Sequence, residues 1–176
     1  MAISSSIVQK SQLEGALRLD AEYYQPEYLA ILKKLSQLKS VTLGQFCRIA
    51  DGDHSKIPGF VDAGGVRYLR AKDLQNFFID DSDPVFVSNP YFQKIKRSHI
   101  KPLDIILSIM GTVGNLAVVL PEYGTITANR AVSIISPKSQ DLFFSYFLAS
   151  YLESKFGVVQ RERESMGGVQ QRVNLD

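Results

Sequence analysis

Two apolar runs on either side of a glycine-bracketed turn constrain this chain more than any other feature. Residues 105–109 (Ile-Ile-Leu-Ser-Ile) form the first run and 116–120 (Leu-Ala-Val-Val-Leu) the second, with Gly111-Thr112-Val113-Gly114 between them. Short continuous apolar runs bounded by turn residues read as buried strands, so the segment is predicted to be a buried β-hairpin. Gly111 and Gly114 are expected where a side chain would obstruct close backbone approach. Residues 131–135, ended by Pro137, predict a further strand, and Val66-Arg67-Tyr68-Leu69-Arg70 alternates like a half-buried one.

Helical periodicity lies on both sides of these strands. From 26 to 39, Tyr28, Leu32, Leu35 and Leu38 recur at three- and four-residue steps, and Pro26 suits a first helical turn. From 142 to 156 the chain is very apolar, and Phe143, Phe144, Phe147, Leu148 and Tyr151 are spaced to cover a core face. The string Arg18-Leu19-Asp20-Ala21-Glu22-Tyr23-Tyr24 is too aromatic for a disordered tail and predicts an arm packed on a neighbouring surface. Residues 71–101 show little regular pattern, and long irregular loops inside compact domains are usually functional. Helix, several strands with long loops, then helices argue for an α+β fold with a mixed or antiparallel sheet and flanking helices. The expected division is an arm over 1–24, a helix over 25–40 and a single domain over 41–176, its end reading as a turn and a short strand.

Composition narrows the function. At 176 residues, 45% apolar and 22% charged, the chain fits one ordinary globular domain. A net charge of +2 cannot hold a protein on nucleic acid by bulk attraction, so any such role needs its cations gathered on one face. The single cysteine, Cys47, makes neither an internal disulfide nor a zinc cluster and reads as a small core residue. The first ten residues do not combine a basic start with an apolar run. No stretch reaches the ~18 apolar residues of a membrane span. The expectation is a cytoplasmic protein with no membrane partner.

Enzyme signatures are weak. His54 and His99 are the only histidines, and no serine sits in a Gly-x-Ser-x-Gly elbow. The 111–114 run lacks the Gly-Lys-Ser/Thr of a phosphate loop. One nuclease-like string exists, Glu153-Ser154-Lys155 with Asp141 upstream, which would orient a water on Mg²⁺. A solvated Glu–Lys pair on a helix is the plainer reading of it. No catalytic residue, metal or cofactor is expected. What remains is polar and basic loop sequence. Lys56, Arg67, Arg70, Lys72, Lys94, Lys96, Arg97 and Lys101 are interleaved with Gln75, Asn76, Asn89 and Gln93. Such side chains neutralise phosphates or bond base edges, although Asp62, Asp73, Asp80, Asp81 and Asp83 in the same stretch weaken the case.

The order of motifs resembles the specificity subunit of type I restriction–modification systems. Arg18 to Tyr24 with Pro26 and Tyr28 is similar to the start of such subunits. Leu43-Gly44, Ile49 and Asp51-Gly52-Asp53-His54 look like the opening of their recognition domain. Val66 to Arg70 with Asp73-Leu74 looks like the strand and turn that follow. The most specific parts are Asp104 to Asn115, then Thr127-Ala128-Asn129-Arg130-Ala131-Val132, then Gly167 to Leu175. The resemblance implies a non-catalytic target-recognition domain that reads one half of a bipartite DNA site. Methyltransferase subunits, which would bind S-adenosylmethionine, and a restriction subunit are the implied partners. The chain stops at Asp176, where the family enters its spacer helix, so one recognition domain is expected, and a second domain or second copy would complete the pair. A recognition domain of a single-chain restriction–methylation enzyme is the near alternative; Met1 and the Tyr23-Tyr24 arm favour a separate subunit. Residue types and resemblance together nominate as DNA-facing His54, Ser55, Lys56, Arg70, Lys72, Gln75, Lys94, Arg97, Thr112, Asn115, Asn129, Arg130, Gln170 and Gln171. Arg70 and Gln75 are the expected base readers.

Overall fold

The computed structural model describes residues 5–13, 19–166 and 172–173. The chain runs α1 (Pro26–Ser36), α2 (Leu43–Phe46), β1 (Cys47–Asp51), β2 (Val66–Leu69), β3 (Leu74–Gln75), β4 (Phe78–Ile79), β5 (Phe86–Val87), α3 (Asn89–Lys94), β6 (His99–Ile100), β7 (Ile105–Ser108), β8 (Leu116–Val118), β9 (Ile126–Ala128), β10 (Val132–Pro137), α4 (Leu142–Glu153), α5 (Lys155–Arg163), β11 (Ser165–Met166) and β12 (Arg172–Val173). This is the α+β architecture expected. The predicted hairpin is β7–β8, antiparallel with Ile106 opposite Ala117.

Two four-stranded sheets carry the fold. The first has the order β1-β10-β7-β8 and is antiparallel throughout. The second has the order β5-β2-β9-β6 and is mixed, with β2 and β9 parallel. Side chains alternate across a strand, and the first sheet uses both of its faces. Ile106, Ala117, Val132 and Ile134 join Leu69, Ile100, Ile126 and Ala128 of the second sheet in one core. Ile105, Leu107, Leu116, Val118 and Ile135 join Cys47 and α4 residues Leu148 and Ala149 in another. A sheet buried on both faces produces the continuous apolar runs seen in the sequence. A third cluster seats α3 on the second sheet through Tyr68, Val87, Tyr91 and Phe92.

Four expectations need correction. First, the helix predicted over 142–156 ends at Glu153; Ser154 is extended and caps α5 through its hydroxyl. Second, its inward face agrees with the one expected only at Leu148 and the half-buried Phe144. Phe143 is 86% and Phe147 66% exposed, and Tyr151 is also exposed, whereas Ser145, Leu148 and Ala149 are buried. Small residues let the helix lie close to the sheet, and the Ser145 hydroxyl donates to the Leu103 carbonyl at 2.8 Å. A helix that is apolar nearly all round gives no periodic signal to choose between faces. Third, residues 71–101 are not irregular; they contain β3, β4, β5, α3 and β6, and Leu74, Val87 and Ile100 are fully buried. Fourth, Gly111 and Gly114 both have a left-handed backbone (φ 77° and 106°); nothing lies within 4 Å of a Cβ built on Gly111, and one on Gly114 would lie 3.2 Å from the Arg161 side chain rather than against backbone. The other predicted helix, 26–39, ends at Ser36.

The arm's neighbouring surface is α5 and its end. Tyr23 and Tyr24 are buried, the Tyr23 hydroxyl donates to Glu164 at 3.1 Å, and the Arg163 guanidinium lies 3.7 Å above the Tyr23 ring. Cys47 is buried as expected, and burial pushes its thiol pKa up. No helix among the described residues is long and apolar enough to cross a membrane.

Candidate nucleic-acid interface

Strand register brings the candidate residues to one edge of the molecule. Strand β1 ends at Asp51 opposite Ser133, and β7 ends at Ser108 opposite Val132. Strands β2 and β9 run parallel and finish together, Leu69 beside Ala128. The loops 51–56, 70–73, 109–115 and 129–131 therefore share this edge. Gly52 makes the crossing possible. Its N–H donates to Val132 at 2.9 Å, and a Cβ there would lie 2.0 Å from the Asn129 carbonyl. Only glycine fits so close to another backbone.

Helix α3 and the turn after it close the edge from one side. The Tyr91 hydroxyl donates to Asp53, and Asp53 also accepts the Ser55 N–H at 3.0 Å. Burial, then the Asp53 hydrogen bond and charge, raise the Tyr91 pKa to about 12. Asp51 accepts from His54 and, at 2.5 Å, from Arg97. Burial pushes the Asp51 pKa up, but His54, the backbone and Arg97 together outweigh it and hold the carboxyl below its ordinary value. His99 lies apart from this chemistry, stacked on Phe92 with ring centres 3.7 Å apart and its Nε2 bonded to the Phe92 carbonyl.

The cations at the edge differ in how far their donors are already used. Arg67, nominated by composition, has a buried side chain; it bonds Asp81 and the carbonyls of Tyr68, Asp80 and Val85. Arg70 turns Nε and Nη2 onto the buried Asp73 and Nη2 also onto Asp83. The Asp73 bond leads the causes that raise its pKa. Lys72 donates to Asp83 at 2.7 Å, and Gln75 to Asp80 at 3.0 Å. Asn115 donates to the Leu74 carbonyl and Asn129 accepts the Ala131 N–H, so both shape loops. Lys56, Lys94, Thr112 and Arg130 are exposed, and the three cations have no ion-pair partner among the described residues. Gln170 and Gln171 lie outside the described residues.

Sequence reasoning named Asp73, Asp80, Asp81 and Asp83 as weakening the case but not which side chain each holds, and it missed Asp51 as a partner. The Arg70–Asp73 pair, three residues apart on a short turn, was detectable; the Arg97–Asp51 pair spans 46 residues and left no local signal. The nuclease-like acids are not brought together. Asp141 caps the start of α4 by accepting the Phe143 N–H, Glu153 ends the same helix beside Arg161, and Lys155 pairs with Glu27. Twelve helical residues span about 18 Å, far beyond a shared metal. No group of three or more candidate metal ligands occurs among the described residues.

No family model and no curated protein matches the sequence. Solved structures do. An HsdS subunit from Thermoanaerobacter tengcongensis aligns over 84% of this chain and 39% of its own, with a TM-score of 0.50 and 18% identity. A chain from the complex assembly of a type I R-M system aligns over 74% of this chain and 35% of its own, also at 0.50, with 17% identity. The fold is similar to that of part of these two solved chains. An S subunit of the type I restriction-modification system of M. genitalium aligns over 77% of this chain and 30% of its own, at 0.49 and 10% identity. The chain thus spans about a third of the length of the solved chains that it matches.

Proposed function

We propose that this chain is a non-catalytic DNA target-recognition domain of a type I restriction–modification specificity subunit, and that the edge built by loops 51–56, 70–73, 109–115 and 129–131 faces the duplex. The observation that carries the reading is the gathering of exposed Lys56, Lys94, Arg97 and Arg130 at one edge of this fold, in a chain of net charge only +2. Concentrated charge of this kind gives phosphate attraction that bulk charge would not. Half of a bipartite site would be read here. Methyltransferase subunits carrying S-adenosylmethionine and a restriction subunit would supply the chemistry, in the cytoplasm. A second recognition domain or second copy would read the other half. The recognition unit would be 41–176, preceded by the 1–24 arm and the 25–40 helix.

The test is a titration with duplex DNA across a range of salt. Each phosphate contact adds about 0.9 to the slope of log affinity against log salt. Changing Lys56, Lys94 and Arg130 together to Ala should weaken binding to every duplex and lower the slope by about 2.7. Unchanged affinity and slope would remove this edge from DNA. Mg²⁺-dependent plasmid cleavage abolished by Glu153→Ala would favour the nuclease reading instead.

A further inference from the structure

We infer that Arg97 reads a guanine in the major groove and that Asp51 is its positioning residue; the inference rests on the DNA-recognition reading above and names the specificity determinant within it. Guanine O6 and N7 are read by two N–H groups of one guanidinium, either the two terminal nitrogens or Nε with one of them. The arginines near the edge can be sorted by which of them still have such a fork.

Arg67 has none, because all three of its nitrogens are bonded within the fold. Arg70 has lost both forks, since each needs Nη2 and Nη2 already serves Asp73 and Asp83. Its side chain is only 22% exposed. Arg130 is exposed with its donors open, but no hydrogen bond or ion pair fixes the guanidinium among the described residues, which suits a phosphate better than a base edge.

Arg97 combines the two properties. Its side chain is 76% exposed, and one Nη2 hydrogen bond at 2.5 Å ties it to Asp51. Nε, Nη1 and the second Nη2 hydrogen have no partner among the described residues. Asp51 is itself fixed. It is the last residue of β1, paired with Ser133, and its other carboxylate oxygen accepts from His54. A guanidinium anchored on one side and open on the other keeps its conformation before DNA arrives, so less ordering entropy is lost on binding. Lysine cannot substitute, because a point charge lacks the planar fork.

The experiment enriches a randomised duplex pool on the full chain at low ionic strength, then repeats it with Arg97→Ala, Arg97→Lys and Asp51→Asn. The wild type should enrich a site containing one G·C pair that both Arg97 variants cease to prefer, by about 5- to 150-fold. Asp51→Asn should lose part of the preference at that same pair and at no other. Arg97 is exposed, so its variants should keep the wild-type melting temperature. Three outcomes overturn the inference. If Arg97→Ala keeps every base preference, Arg97 does not read a base. If it weakens all duplexes equally, Arg97 contacts phosphate. If the wild type enriches no sequence at all, the DNA-recognition reading fails, and this inference with it.

Discussion

The two sheets of this molecule share one aliphatic core and differ in what else holds them. The β1-β10-β7-β8 sheet is buried on both faces by aliphatic side chains, and Ile105, Ile106, Val132 and Ile134 are fully inaccessible. The β5-β2-β9-β6 sheet has strands of two to four residues, and the segment after β2 is tied down by charge: Arg67, Arg70 and Lys72 against Asp73, Asp81 and Asp83. Burial by area is insensitive to salt and pH, whereas paired charges respond to both. The molecule thus has a core that resists solution conditions beside a candidate reading surface that does not.

Asp73→Ala should have the largest effect. Asp73 is buried between Arg67 and Arg70, and removing it leaves the buried Arg67 guanidinium with Asp81 as its one remaining carboxylate and takes away the partner of Arg70 Nε. Breaking a buried pair from one side costs about 3–5 kcal/mol. Urea denaturation should show a loss of that size. A loss below 1 kcal/mol would mean that the charges contribute little. Ile106→Ala removes a fully buried side chain from the aliphatic sheet and should cost about 2–5 kcal/mol, unchanged in high salt. A strong salt dependence of that loss would contradict the division.

Acidity separates the regions by sign. Asp83 is held below its ordinary 3.8, first by the Lys72 hydrogen bond, so its contribution is present above that pH and lost as pH falls through the folded value. Asp104, at the start of the hairpin, is raised, first by burial. Its contribution is present below 3.8 and lost as pH rises through the folded value. From pH 3 to 7, Asp83→Asn should fall in stability relative to wild type while Asp104→Asn gains. Slopes of the same sign would refute the assignment. The smallest effect is expected on α4. Phe147→Ala trims an exposed ring and should shift stability by less than about 0.5 kcal/mol in a melting experiment.

The aliphatic sheet was legible in the sequence, and the charged region was not. Continuous runs such as Ile105-Ile106-Leu107 identify buried strands without any long-range information. The β3–β4 hairpin escaped because its turn residues are Asn76 and Phe77, both with positive φ, where an Asn-Gly pair would have announced it. Phe77 is kept there by an N–H bond to Leu116 at 3.0 Å, a tertiary contact invisible in local sequence. Charged candidates were found by type alone. Their availability depends on acids such as Asp51, 46 residues away from Arg97, and Asp83, 13 residues away from Arg70.

The contact between the arm and α5 has a consequence for how such a unit travels. Tyr23 and Glu164, 141 residues apart, are bonded side chain to side chain, and Arg163 donates to the Tyr23 carbonyl. Everything between them is thus a closed loop with its two ends clasped. A unit whose ends meet can be lifted out of one chain and spliced into another through two adjacent junctions, with little disturbance to the host. The clasp makes the segment a transplantable cassette, and its portability would come from three aromatic and charged side chains rather than from anything at the reading edge.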